Sequence, residues 1–422
     1  MNLALINGKA FIKGKLVKAN ILIQGKKIEK ISASKIKADK EIDCKGKIIL
    51  PGAIDVHVHF RSPGFEYKED FFTGSLAALH GGITTIMDMP NTKPVTSTVK
   101  ALEAKRKLVK KHCLTNFGIY MAALNNNLSE ISKAKNLRAV KLYYGSTTGN
   151  ILMNKKTAIE KLFKTAKKKG FVVAVHAEDE EIMKENEKKF RKSKDPAIHE
   201  KIRNEEAEAK AIKEVLSIQQ KAGNKIHIAH ISSEKGLNLV KKAKKRRNGN
   251  KVTCEVTPHH LFLDSSDYKK LGNLIKCNPS IKGAKHRKAL FNGLKNKAID
   301  LVATDHAPHS FKEKKQSYGK SPSGIPGEET MLPLLLDAVN KKQISLKRIV
   351  EAVSEKPAQV FGWKNKGFIK TGFDADLVII NPTGKYKVEN NKLFTKAAYS
   401  PWNGKTLKGR VENTIIGGQV FG

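Results

Sequence analysis

Runs of apolar, mostly β-branched residues alternate with amphipathic, lysine-faced segments from about residue 49 to residue 364. Each apolar run is typical of a buried strand, and each amphipathic segment has helical spacing. The predicted strands are 53–59, 83–89, 115–121, 138–144, 171–176, 225–230, 251–256 and 299–304, and the clearest predicted helices are 98–111, 155–169, 198–221 and 284–297. Strands alternating with helices predict an α/β protein with a parallel sheet, and eight such units fit a (β/α)8 TIM barrel over residues 49–364.

The two ends of the chain carry a different pattern. Residues 1–48 contain short alternating runs separated by Gly-Lys turns, which predict a small antiparallel β unit. Strand patterns return at 375–380 and 411–416, with a Gly417-Gly418 turn after the second. We therefore expect residues 1–48 and 365–422 to pair into one small β-sandwich-like domain beside the barrel.

Composition places the chain among ordinary folded proteins, with 40% hydrophobic and 28% charged residues. No apolar run is long enough to predict a membrane span, and no secretory signal is visible at the start of the sequence. The cysteines Cys44, Cys113, Cys254 and Cys277 have no clustered spacing. They predict free thiols in a reducing, cytoplasmic location and no disulfide framework.

The formal net charge of +40 raises the hypothesis of a nucleic-acid partner, above all at the basic run 241–247. However, the lysines are spread along nearly every predicted helix, and no aromatic residues interleave with the basic run. This distribution favours solvated helix faces, so we expect neither nucleic acid nor membrane as a partner. The positive charge would also speed the capture of a small anionic substrate.

Residue types that bind metals recur where the predicted barrel strands end. The first strand ends in His57 and His59, which alternate with valines and therefore project to the same side. Barrel enzymes carry their chemistry at the carboxyl ends of the strands. The corresponding ends of later strands carry Lys141, His176, His230 and Asp305. This set of residues in register predicts a metal site at that face.

These residues belong to motifs through which the chain resembles the dihydroorotases of the amidohydrolase superfamily, over essentially its full length. The most specific motifs are DVHVHFRSPG at 55–64, MPNT at 89–92, and ATDHAPH at 303–309 followed by Lys314. Supporting motifs are EVTPHH at 255–260 and GFDADL at 372–377. The resemblance implies a metal-dependent cyclic amidohydrolase of de novo pyrimidine biosynthesis.

The resemblance further implies two divalent metal ions, usually zinc. One ion would be held by His57, His59 and Asp305. The other ion would be held by His176 and His230. A carbamate formed from CO2 on Lys141 would bridge the two ions. The chemistry agrees, because an ammonium cannot ligate a cation whereas a carbamate offers two anionic oxygens.

The implied reaction is the reversible hydrolysis of (S)-dihydroorotate to N-carbamoyl-L-aspartate. A water between two divalent ions loses a proton near neutral pH, and the resulting hydroxide would attack the ring amide carbonyl. Asp305, as general acid and base, would take the proton and pass it to the leaving ring nitrogen.

Substrate-binding residues follow from charge and from the resemblance together. Arg61 offers a planar fork that matches the single carboxylate of dihydroorotate. Asn91, Asn278 and His309 occupy the remaining substrate positions of the family. The chain reads PSIK at 279–282 where the family usually has PPLR. The loop 145–150, with Thr147 or Thr148 on the substrate, is predicted to be a closing lid.

Other cyclic amidohydrolases remain the alternative. Hydantoinases, dihydropyrimidinases and allantoinases share the barrel, the metals and the lysine, but their substrates lack this carboxylate, so Arg61 is the discriminating residue. A catalytically inactive scaffold for a transcarbamoylase is a second alternative, although such proteins typically lose ligands and this chain has them all. The sequence leaves open whether the chain forms homo-oligomers or binds a transcarbamoylase.

Overall fold

Parallel strand pairs form the centre of the molecule, which the computed structural model describes at residues 2–147 and 151–422. The strands are β1 (Asn2–Ile6), β2 (Lys9–Ile12), β3 (Lys15–Lys18), β4 (Asn20–Gln24), β5 (Lys27–Ser32), β6 (Lys40–Asp43), β7 (Ile48–Pro51), β8 (Ala53–Val58), β9 (Ile83–Asp88), β10 (Asn116–Ile119), β11 (Met121–Ala122), β12 (Ala139–Tyr143), β13 (Val172–His176), β14 (Ile226–Ile228), β15 (Val252–Val256), β16 (Leu301–Val302), β17 (Leu377–Lys387), β18 (Thr406–Ile416) and β19 (Gln419–Phe421). Each of the eight strands predicted between residues 53 and 304 contains an observed strand, so these predictions are confirmed.

The central strands pair in chain order. β8, β9 and β10 form one parallel group, and β11 to β16 form another, in which every neighbouring pair is parallel. A parallel bridge joins Val58, at the end of β8, to His306, which follows β16. All of these strands therefore point the same way, and the residues that follow them lie at one face.

Helices follow most of the central strands. They are α1 (Phe71–His80), α2 (Val99–His112), α3 (Leu128–Lys133), α4 (Lys156–Lys169), α5 (Glu180–Phe190), α6 (Ile198–Ile202), α7 (Glu205–Ala222), α8 (Glu234–Lys244), α9 (Pro258–Phe262), α10 (Tyr268–Leu271), α11 (Ala284–Lys295), α12 (Phe311–Lys314), α13 (Glu328–Asn340), α14 (Leu346–Val350) and α15 (Lys356–Phe361). Among the described residues, no helix is both long enough and apolar enough to cross a membrane.

The single helix predicted over 198–221 is wrong, because the chain forms two helices there. Asn204 has an extended backbone and its side chain accepts a hydrogen bond from the backbone N–H of Ala207. This cap begins α7 and separates it from α6. The apolar spacing continues across the break, which is why periodicity alone did not reveal it.

The two ends of the chain form sheets with the strand orders β5-β4-β1-β6 and β19-β18-β17-β7-β2-β3. β7 pairs antiparallel with β17, so strands from early and late in the chain share one sheet. The purely antiparallel N-terminal unit is wrong, because β1 pairs parallel with β6 and β2 pairs parallel with β7. The strands between β1 and β6, and those between β2 and β7, return the chain to its original direction before it pairs. An apolar cluster that includes Leu5, Ile21, Ile49, Ile379 and Ile415 lies within these sheets.

Candidate active site

His57, His59 and Asp305 converge at the face where the central strands end. The two histidines leave β8 on the same side, and Asp305 follows β16. The Asp305 Oδ1 atom lies 3.1 Å from His59 Nε2 and 3.3 Å from His57 Nε2. The three side chains predicted to hold one ion thus bring their ligand atoms together.

The second predicted group lies beside the first. His176 Nδ1 is 3.0 Å from His230 Nε2, and Lys141 Nζ is 3.4 Å from His57 Nε2. One cavity of about 30 Å³ is lined by all six predicted metal ligands and by several predicted substrate residues. Its complete lining is His57, His59, Arg61, Asn91, Lys141, Tyr143, Thr147, His176, His230, Asn278, Asp305, Ala307, Ser323 and Gly324.

Carboxylate and amide oxygens lie beside three of the histidine rings. Glu255 Oε1 lies 2.5 Å from His57 Nδ1, and Asn91 Oδ1 lies 2.6 Å from His59 Nδ1. Glu178 Oε2 lies 2.9 Å from His176 Nε2. Glu255 and Asn91 each accept the hydrogen of one ring nitrogen, so the other nitrogen of His57 and of His59 presents its lone pair to the cavity. Rings fixed in this way fit the implied metal ions.

Glu255 and Glu178 were not predicted from the sequence. Glu255 also contacts His227 Nε2 at 2.9 Å and accepts the backbone N–H of His230 at 3.1 Å. Glu178 forms a buried ion pair with Arg203. A signal existed for Glu255, because it is the one charged residue inside the otherwise apolar run of β15. Two acidic groups beside predicted metal ligands therefore came only from the structure.

Burial and mutual charge set the protonation of these side chains. Burial lowers the pKa of His59 to about 4 and holds the pKa of His230 well below its usual value. Burial opposes the ionisation of Asp305, but its electrostatic interaction with His57 and the hydrogen bond from His59 outweigh burial and lower the pKa of that carboxyl. At neutral pH His59 and His230 are therefore neutral imidazoles and Asp305 is an ionised carboxylate, the forms that bind cations.

Lys141 is fully buried at the centre of this group, with 1% of its surface exposed. Burial lowers the pKa of its amine to about 8. A lowered pKa increases the fraction of neutral amine, which is the form that reacts with CO2. The position and state of Lys141 thus fit a carbamate.

Arg61 lies at the edge of the cavity and is 4% exposed. Its Nε donates to the carbonyl oxygen of Pro308 at 3.0 Å, which turns the guanidinium toward the cavity. Asn278 reaches the same cavity, and its Nδ2 donates to Thr147 Oγ1 at 3.3 Å. Thr147 therefore borders the cavity, whereas Thr148, Gly149 and Asn150 of the predicted lid lie outside the described residues.

His309 lies behind this layer rather than among the residues that line the cavity. Its Nε2 atom is 3.1 Å from the carbonyl oxygen of Ser323 and 3.2 Å from Arg61 Nη2. Of the predicted substrate residues, Arg61, Asn91 and Asn278 border the cavity directly, and His309 reaches it through Arg61 and Ser323.

The backbone is unusual at three of these positions. Arg61, His230 and Asp305 adopt positive φ angles of 59°, 33° and 48°. Residues other than glycine rarely adopt this region, and such strain concentrates at functional sites. Here it turns each side chain back toward the cavity as the chain leaves a strand.

A second group of potential ligands, His259, His260 and Cys277, is also buried. Both ring nitrogens of His260 already have hydrogen-bond partners. Its Nε2 lies 3.2 Å from the carbonyl oxygen of Pro279, and its Nδ1 lies 2.8 Å from Thr257 Oγ1. With both ring nitrogens hydrogen-bonded, His260 has no lone pair for an ion. This group therefore belongs to the packing behind the cavity.

Comparison with known proteins identifies the class. The amidohydrolase family matches residues 48–421, and the chain belongs to this family. A curated dihydroorotase of Methanosarcina acetivorans is 37% identical over 408 residues, which cover 94% of this chain and 87% of the relative. The dihydroorotase of Thermococcus kodakarensis is 37% identical over 420 residues, covering 100% and 94%.

Solved structures give the same fold. The L-hydantoinase of Arthrobacter aurescens superposes with a TM-score of 0.95 at 30% identity, covering 99% of this chain and 95% of the hydantoinase. The dihydropyrimidinase of Brevibacillus agri gives a TM-score of 0.92 at 27% identity, covering 100% and 95%. The protein thus has an amidohydrolase-type α/β fold, these curated sequence relatives are dihydroorotases, and these structural neighbours are a hydantoinase and a dihydropyrimidinase.

Proposed function

We propose that this protein is a dihydroorotase, which hydrolyses (S)-dihydroorotate reversibly to N-carbamoyl-L-aspartate. The observation that carries the proposal is the position of Arg61 beside the converging ligand atoms, within the cavity. Dihydroorotate has a carboxylate on its ring that the guanidinium can bind through two hydrogen bonds, whereas hydantoin has none. The curated relatives support the same choice.

The proposed architecture is a closed (β/α)8 barrel over residues 49–364, with a small β domain formed by residues 1–48 and 365–422. The parallel order of β8 to β16 and the bridge from Val58 to His306 support closure. The pairing of β7 with β17 supports a joint terminal domain. We also propose a cytoplasmic location, in agreement with the scattered cysteines.

The proposed cofactor is a pair of divalent ions, and the nitrogen-rich ligand set favours Zn²⁺. Nitrogen and oxygen atoms that face the cavity would hold them, from His57, His59, His176, His230, Asp305 and carboxylated Lys141. When bound, such ions supply an acidified water and a polarised carbonyl. Glu255, Asn91 and Glu178 would keep three of the ligand rings in their binding orientation.

Side chains of the protein carry out the remaining parts of the reaction, which are substrate binding and proton transfer. Arg61 anchors the substrate carboxylate, Asn278 offers a further hydrogen bond from the same cavity, and His309 acts on the substrate through Arg61, so the ring amide is held at a fixed angle. Asp305, ionised at neutral pH, accepts a proton from the attacking water and delivers it to the ring nitrogen as the amide bond breaks. In the reverse direction Asp305 removes a proton from the carbamoyl nitrogen.

Activity toward three cyclic amides, measured side by side with the zinc-loaded protein, tests this proposal. We expect efficient turnover of dihydroorotate and weak turnover of hydantoin and allantoin, because only the first carries the carboxylate that Arg61 binds. Preferential turnover of hydantoin would instead support the hydantoinase alternative.

A further inference from the structure

Lys68, a residue outside the predicted site, holds one ring nitrogen of His309. The Lys68 Nζ atom lies 3.0 Å from His309 Nδ1 and 3.0 Å from Glu313 Oε1. The lysine is 14% exposed, and the histidine is 1% exposed. Glu313 in turn accepts hydrogen bonds from the backbone N–H and the hydroxyl of Ser310 at the start of α12. Lys68 is therefore held in place from its other side.

The chemistry of the two side chains decides which ring nitrogen of His309 carries hydrogen. A lysine ammonium has three hydrogens to donate and no lone pair, so His309 Nδ1 must accept. Burial, followed by the positive charges of Arg61 and Lys68, holds the pKa of His309 well below its usual value. The ring is therefore neutral, and its single hydrogen lies on Nε2.

Whether His309 Nε2 carries a hydrogen determines whether it can accept a hydrogen bond from Arg61. With a hydrogen on Nε2, His309 donates to the carbonyl oxygen of Ser323 and cannot accept from Arg61 Nη2, although the two nitrogens are 3.2 Å apart. In the opposite tautomer, Nε2 would accept a hydrogen bond from Arg61. That bond would occupy part of the guanidinium, so fewer of its hydrogens would remain to bind an anion.

We propose that Lys68 is a positioning residue that fixes His309 in the Nε2–H tautomer, so that His309 donates to Ser323 and leaves the Arg61 guanidinium free to donate to the substrate carboxylate. This inference rests on the proposed dihydroorotase function for the identity of the anion. The choice of tautomer rests only on the contacts of Lys68, His309, Arg61 and Ser323.

Three variants separate donation from charge. Lys68→Met removes the donor and keeps the side-chain length, and Lys68→Arg keeps a donor. Lys312→Met is the matched control, because it removes one positive charge from an exposed lysine adjacent to Glu313. We expect Lys68→Met to raise the KM for dihydroorotate by about 10-fold, the effect of one hydrogen bond to a charged group, with kcat within about 2-fold of wild type. Lys68→Arg should restore most of the KM, and Lys312→Met should leave it unchanged.

Nitrogen-15 NMR of histidine-labelled protein gives a readout that does not depend on turnover. The two-bond ¹⁵N–¹H pattern distinguishes the two neutral tautomers, and the signals lost in His309→Gln assign the ring. We expect the Nε2–H pattern in wild type and Lys68→Arg, and the Nδ1–H pattern or a mixture in Lys68→Met.

A wild-type Nδ1–H pattern would overturn the inference without any variant, as would an Nε2–H pattern that persists in Lys68→Met. A tautomer change that leaves KM unaltered would also overturn it, while dihydroorotase activity in wild type would still uphold the proposed function. A protein without dihydroorotase activity would contradict the proposed function, and the NMR pattern would still decide whether Lys68 fixes the tautomer.

Discussion

The cavity at the strand ends and the sheets built by the two chain ends bury their residues in opposite ways. Around the cavity, buried side chains such as His57, Lys141 and Asp305 are titratable and depend on one another for hydrogen bonds. In the terminal sheets, the buried side chains are apolar, as at Ile49 and Ile379. Buried polar groups and strained backbone cost stability, whereas buried apolar surface supplies it.

This difference has a direct consequence for substitutions. Changes at the cavity should alter activity far more than the free energy of unfolding, since its groups are arranged for binding. Changes in the terminal sheets should do the reverse.

The largest effect is expected from Lys141→Ala. The variant loses the proposed bridging carbamate, so turnover of dihydroorotate should fall on the order of 1,000-fold, the equivalent of several kcal/mol of transition-state stabilisation. Bound metal, measured by elemental mass spectrometry, should fall as well, and short carboxylic acids should restore part of the activity. Two tightly bound ions and full activity in this variant would contradict the carbamate.

The next effect concerns stability. Ile379 is fully buried in β17, within the apolar cluster of the terminal sheets. Ile379→Ala should lower the free energy of unfolding by about 2–5 kcal/mol, because it removes buried methyl groups and leaves a cavity. Chemical denaturation measures the change, and kcat of the folded fraction should be unaltered.

Val17→Ala serves as its control, because Val17 lies on the edge strand β3 and is 44% exposed. Its unfolding free energy should change by less than about 0.5 kcal/mol. A comparable loss of unfolding free energy in both variants would show that the burial of a side chain does not determine how much it stabilises the terminal sheets.

The smallest effect is expected at Glu412, whose carboxylate pairs with Lys47 at 2.6 Å and Arg410 at 2.8 Å. Hydrogen bonds from Lys47 and then Arg410 lower the pKa of Glu412 to about 2 in the folded protein. The folded state therefore releases this proton more readily than the unfolded state. Its stabilisation is complete above the ordinary glutamate pKa and is lost as the pH falls toward 2.

Unfolding curves between pH 2 and 6 test this assignment. Glu412→Gln should lose stability at pH 6, by less than about 1 kcal/mol because the pair is near the surface, and should differ less from wild type toward pH 2. Glu103→Gln, on the exposed face of α2, is the control. An equal difference at both pH values would rule out an ionic contribution.

The sequence predicted most of the fold because its signals are local. β12 and β13 are buried at every residue, and apart from Lys141 and His176 they consist of apolar and aromatic residues. The predicted histidine and aspartate ligands were recognisable for a similar reason, since each is a metal-binding residue type at or just after a strand end, whereas the role of Lys141, inside β12, followed from the family resemblance. Arg61 was found because it lies within the same short motif as the first two histidines.

What the sequence did not reveal depends on contacts across the fold. Glu255 orients His57 from a position 198 residues away in the chain, and Lys68 contacts His309 from 241 residues away. Such pairs form only when strand order and loop shape are set. The cap at Asn204 was missed for the opposite reason, because a local capping signal lay within an unbroken helical pattern.

The substrate preference of Arg61→Lys tests the central claim most directly. Lysine keeps the positive charge but loses the planar fork, so kcat/KM for dihydroorotate should fall by about 10- to 100-fold with the metal content retained. Turnover of hydantoin, which has no carboxylate, should change little. Unchanged hydrolysis of dihydroorotate in Arg61→Lys, with hydantoin the better substrate of the wild-type protein, would contradict the assignment.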